Sequence, residues 1–107
     1  MIIRSLVLLA LLAPGVSLAH GLVVFAFVDG GDVVVEAKFS NGRLAQAGVV
    51  NVYDAVDTKL FDLPVTGGEP VRFPVDPSSG GYRIEVVTPN GHSDYWVLTP
   101  NDLKGTE

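Results

Sequence analysis

No cysteine occurs anywhere in the chain. That absence excludes a disulfide framework, a thiolate metal site, a cysteine nucleophile and an acylated N-terminal cysteine of the lipoprotein kind. A small domain without such a staple depends on a well-packed apolar core. Positive charge is also scarce: seven Lys and Arg stand against twelve Asp and Glu, a net charge of −5. A surface of that sign repels phosphate backbones and anionic headgroups, so nucleic acid and membrane surfaces are not expected partners and cations are the easier ones. Long apolar runs are missing too. Residues 6–12 form a short one, well below the roughly 20 residues that cross a bilayer, and no later segment approaches that length. Histidine is the last scarcity, with two in the whole chain, His20 and His92.

Residues 1–19 have the layout of a secretory signal peptide. Arg4 supplies the positive n-region, residues 6–12 the apolar h-region and Pro14-Gly15 a break, while Ser17-Leu18-Ala19 puts small residues around a cleavage site. Cutting after Ala19 makes His20 the first residue of a periplasmic protein with no direct membrane insertion. Its α-amine then sits on the same residue as an imidazole.

Beyond the signal, helical periodicity disappears. Runs rich in Val, Phe, Ile and Tyr alternate with Gly, Pro, Asn and Asp, the pattern of an all-β chain. Strands are expected at 22–28, 33–39, 49–54, 59–65, 71–75, 82–88 and 92–98. Asp29-Gly30-Gly31-Asp32 and Pro89-Asn90-Gly91 read as tight hairpin turns. Tyr82, Ile84 and Val86 alternate with Arg83 and Glu85, which aims the first set at the core. Val71, Phe73 and Val75 do the same around Arg72. The expected fold is a small antiparallel two-layer sandwich of about seven strands, Ig/transthyretin-like, over residues 20–99. Residues 100–107 read as a flexible tail. Trp96 and Leu98 are expected to turn inward and the Phe and Val residues to form the core, with Tyr82 as a corner tyrosine.

An N-terminal histidine binds a metal through its amine and Nδ1 in one chelate ring. A second imidazole opposite, from His92, would complete a T-shaped set of three nitrogens. Neutral nitrogen donors suit Ni(II), Co(II), Zn(II) and Cu(II), with copper favoured on intrinsic affinity. All three donors bind as free bases, so occupancy should fall as the pH drops below about 6. Asp94 shares a strand face with His92 and offers either an oxygen ligand or an orienting carboxylate, against the plainer reading of a surface carboxylate. Whether residue 20 and residue 92 lie at the same end of the sandwich is left open by the pattern. The plain alternative for both histidines is a solvated side chain beside a turn or terminus.

Other chemistry has little support. The serines of the mature chain lie in or beside turns, none in a nucleophile motif, and no enzyme is expected. Asp29-Gly30-Gly31-Asp32 lacks the ligand spacing of a calcium loop. The glycine pairs at 30–31, 67–68 and 80–81 fall between strands and lead into no phosphate-binding helix.

The stretch His20-Gly21-Leu22-Val23-Val24-Phe25-Ala26 resembles the mature start of periplasmic accessory components of bacterial nickel/cobalt uptake systems of the energy-coupling-factor type. The closing stretch, from Gly81-Tyr82-Arg83-Ile84-Glu85-Val86 to Asn90-Gly91-His92-Ser93-Asp94-Tyr95-Trp96-Val97-Leu98, resembles that family's Gly-His turn and tryptophan-bearing last strand. Between them, Ala47-Gly48-Val49-Val50-Asn51-Val52-Tyr53-Asp54 is similar to the middle strand of carboxypeptidase-regulatory-like, transthyretin-type sandwiches. The resemblance implies a divalent transition metal (nickel or cobalt, with copper as the alternative), His20 and His92 as the metal-linked positions, and membrane components of a metal transporter as partners. Members of that family often continue into a C-terminal membrane helix. With the sequence ending at Glu107, the expectation is a diffusible carrier or a protein that docks non-covalently. Two competing functions remain: a β-sandwich that binds protein or carbohydrate without metal, whose strand edges could also make a homodimer, and a periplasmic copper-handling protein.

Overall fold

The computed structural model describes residues 21–104. The expected signal peptide, His20 and the last three residues lie outside them. Seven strands run β1 (Leu22–Asp29), β2 (Asp32–Phe39), β3 (Val49–Asp54), β4 (Lys59–Pro64), β5 (Val71–Pro74), β6 (Tyr82–Val87) and β7 (Ser93–Leu98), followed by one helical turn, α1 (Pro100–Leu103). They form two antiparallel sheets, β1-β2-β5 and β4-β3-β6-β7. The fold is the all-β sandwich that the alternating pattern predicts.

The core follows from strand parity. Leu22, Val24 and Ala26 of β1 are buried between the sheets, and so are Tyr82, Ile84 and Val86 of β6, which meet Val50 and Val52 of β3. The centre is small and branched, with Val24, Val33, Val50, Val52, Ile84 and Val86 fully enclosed. Stiff β-branched side chains suit both the pleat and a core of this width. Toward one end, Phe73 stands edge-on to both Phe61 and Tyr82, at 5.2 and 5.4 Å between ring centroids. Tyr82 has its hydroxyl at the backbone N–H of Asp76, 3.0 Å away, as expected of a corner tyrosine.

Local chemistry sets the ends of the elements. The two-residue Gly30-Gly31 turn lets β1 and β2 pair as far as Asp29 and Asp32, one residue further on each side than the pattern suggests. Arg72 of β5 lies against both carboxylates, at 2.9 and 3.4 Å, so this hairpin end is an exposed ion-pair cluster and not a cation loop. The outer edges, β4 and the four-residue β5, each end in proline, which discourages further strand pairing.

Three expectations need correction. The segment after β7 is not all tail: Thr99 and Asp102 form a reciprocal capping box, Pro100 occupies the first turn, and Leu103 is only 6% exposed within the core. Trp96 does not turn fully inward. It lies at the sheet edge, 39% exposed, with its ring edge-on to Phe25 at 5.0 Å. Nor are all Phe and Val residues core, since Val23, Phe25, Val49, Val56, Phe61 and Val97 are exposed. Parity explains Val23 and Phe25, which alternate with buried neighbours on an edge strand.

Candidate metal centre

The two sheets meet along one seam, where β1 and β7 are neighbouring edge strands. Val24 of β1 donates its backbone N–H to Asp94 Oδ2 of β7 at 2.9 Å, and one residue further along Phe25 meets Trp96. Both contacts advance in the same direction, so the two strands run side by side with an offset of about seventy residues. That offset sets His92 level with Leu22. An independent contact agrees: the His92 ring stands edge-on to Phe39 at 5.6 Å, and Phe39 is the register partner of Leu22. The ladder continues one residue further, since Ser40 donates its backbone N–H to the Gly21 carbonyl at 3.0 Å. Gly21 and His92 therefore occupy the same pole of the sandwich. Position 20 is covalently one residue further, with 3.80 Å between consecutive Cα atoms.

His92 sits at the exit of a three-residue hairpin loop. Gly91 donates its N–H to the Thr88 carbonyl at 2.9 Å, closing a turn with Pro89 and Asn90 at its centre, and Gly91 follows with φ +89°. This is a turn plus a left-handed glycine, the usual three-residue hairpin. Thr88 also donates its N–H to the His92 carbonyl at 2.9 Å, but the reciprocal bond is missing. The Thr88 carbonyl is taken by Gly91 and the His92 N–H goes to the Thr88 hydroxyl, so β7 begins at Ser93. The half-buried imidazole has Nδ1 3.2 Å from Asn90 Oδ1. Asn90 Oδ1 also accepts the Thr88 hydroxyl at 2.6 Å, and Thr88 is buried. Phe39, Gln46, Ala47, Thr88, Pro89 and Asn90 line a shallow depression beside the ring.

Asp94 takes a different role from either ligand or surface carboxylate. It is half-buried and its Oδ2 is committed to Val24, so it ties the two sheets together just inside the pole. Among the described residues there is no group of three or more His, Cys, Asp and Glu side chains that could hold a metal ion. His20, which carries two of the three nitrogens expected from the sequence, lies outside the described residues. Reading by motif missed Asn90, Thr88 and Phe39 as neighbours of His92. The turn was visible, but the contact between its central asparagine and the ring two residues on depends on side-chain direction within the loop.

Comparisons with family models, with curated proteins and with solved structures found no match for this chain.

Proposed function

We propose that the mature protein is a periplasmic, non-enzymatic accessory protein that captures a divalent transition metal, nickel or cobalt, for an uptake system in the inner membrane. His20 contributes its amine and Nδ1, and His92 a second imidazole. One observation supports this reading above the others: the β1–β7 seam, with Val24 tied to Asp94 and Phe39 against His92, sets Gly21 and His92 at one pole. Residue 20 is bonded to Gly21, and the reading requires its amine and imidazole to meet His92 at that pole. Nitrogen donors are the correct chemistry for this metal class, and the acidic chain attracts cations.

The test is Ni(II) titration by calorimetry of processed protein whose first residue has been established by mass spectrometry. His20→Ala should lose most of the affinity and His92→Ala a smaller part. Unchanged affinity in both variants overturns the site. Competition with Cu(II), read against the metal that the protein carries from its host, separates nickel uptake from copper handling.

A different observation favours a second reading, a protein-binding module. Val23 and Phe25 of β1 and Tyr95, Trp96 and Val97 of β7 are exposed on the two strands that form the seam, with Phe25 and Trp96 in contact. Absence of any metal-dependent rise in melting temperature, together with a partner whose binding is lost in Phe25→Ser, would favour it.

A further inference from the structure

We propose that Asn90, held by Thr88, fixes the His92 imidazole in the tautomer that carries its proton on Nδ1 and presents Nε2 as the coordinating nitrogen. A neutral imidazole has one N–H and one lone pair, and an amide oxygen has no proton to give. Asn90 Oδ1 faces Nδ1 at 3.2 Å, so a hydrogen bond there requires the proton on Nδ1. The lone pair is then on Nε2.

The amide is itself held. The Thr88 hydroxyl has one proton, and its shortest contact, 2.6 Å, is with Asn90 Oδ1. Its oxygen meanwhile accepts the His92 backbone N–H at 3.2 Å. Thr88 is buried, and the hydroxyl's other acceptor, the His92 carbonyl, is the longer contact at 3.3 Å. Phe39 bounds another side of the ring with its edge-on contact. The chain Thr88–Asn90–His92 is thus a positioning relay of the kind that orients metal-ligating histidines through their second nitrogen. It rests on the metal reading above for its purpose, although the tautomer is a property of the metal-free protein.

The experiment is a long-range proton–nitrogen NMR spectrum of metal-free protein at a pH where the ring is neutral, on the wild type, Asn90→Ala and Asn90→Asp, followed by Ni(II) titration of each. The wild type should show the Nδ1–H form, the reverse of what an unconstrained histidine favours. Asn90→Ala should move toward the Nε2–H form and weaken Ni(II) binding about 10–100-fold. Asn90→Asp keeps an acceptor facing Nδ1 and should retain both the tautomer and the affinity. An Nε2–H wild type, as a reversed Asn90 amide would impose, overturns the proposal, and so does an Asn90→Ala spectrum identical to wild type. A wild type in the Nδ1–H form that takes up no Ni(II) bears out the tautomer and overturns the metal reading.

Discussion

Val24 and Asp94, seventy residues apart, are joined by a hydrogen bond from a backbone N–H to a carboxylate oxygen at 2.9 Å. Val24 lies on an edge strand, where its N–H has no ladder partner, yet its side chain is buried. A buried donor without an acceptor is costly, so a side chain from the other sheet serves in place of a strand. Asp94→Ala should lower stability by about 1–3 kcal/mol in urea denaturation. Asp94→Asn keeps an acceptor without the charge and should lose about half as much. Faster amide exchange at Val24 in Asp94→Ala would localise the effect to the seam, whereas unchanged exchange there would contradict the account.

Gly81→Ala should be among the most destabilising single-atom changes in the domain. Gly81 has φ +120°, a conformation nearly reserved for glycine, and a Cβ there would sit 2.6 Å from the Leu98 carbonyl oxygen. The backbone strain alone is worth about 1–3 kcal/mol, and the clash adds to it because the carbonyl belongs to the paired β7 backbone. Gly91 also has positive φ, but open space surrounds it, so Gly91→Ala should cost less. A melting series that reversed this order would be inconsistent with the register described here.

Leu103 makes the single helical turn after β7 part of the fold. Leu103→Ala should cost about 2 kcal/mol, at the low end of core truncations because the site borders solvent. Thr99→Ala removes the cap that starts the turn and should cost about 1 kcal/mol. The two effects should be less than additive if the cap acts by docking Leu103, and a double variant measures this directly.

The sandwich was legible because its strands alternate. Tyr82-Arg83-Ile84-Glu85-Val86 assigns its own faces, and Gly30-Gly31 and Pro89-Asn90-Gly91 announce their turns. The helical turn was not legible, because four residues give no periodicity, and its signal lies in the Thr99–Asp102 spacing and one apolar residue. Trp96 was misplaced for a different reason: parity gives a face, but not whether an edge strand leaves that face covered. The meeting of two sheet edges along the seam is a long-range fact. Neither β1 nor β7 carries any local mark of the other, so the shared pole of Gly21 and His92 had to come from the structure.

Acid should loosen the turn before β6 in a residue-specific way. Asp76 Oδ1 accepts the Ser78 hydroxyl at 2.7 Å and its backbone N–H at 2.9 Å, and these hold the Asp76 carboxyl below its ordinary value of 3.8. A carboxyl lowered on folding contributes stability that is present above the unfolded value and is lost as the pH falls through the folded one. The loss therefore begins near 3.8 and is complete only below it. Ser78→Ala should move the Asp76 midpoint upward, toward the ordinary value, in a carboxyl carbon NMR titration. It should not move it fully, because the backbone bond remains.

The proposed metal ion offers a sharper separation of the two histidines. The amine and Nδ1 of His20 belong to one residue, so their chelate does not require the fold and persists in the unfolded chain. Only the bond to His92 depends on the sandwich. A ligand stabilises a protein by its preference for the native state, and binding to the unfolded state cancels in that difference. Saturating Ni(II) should therefore raise the melting temperature of the processed wild type but leave His92→Ala unmoved, even though that variant still binds the metal. Each tenfold preference for the native state is about 1.4 kcal/mol, and each kcal/mol shifts a domain of this size by roughly 4–8 °C. An equal rise in wild type and His92→Ala would mean that the folded domain adds no second imidazole to the chelate.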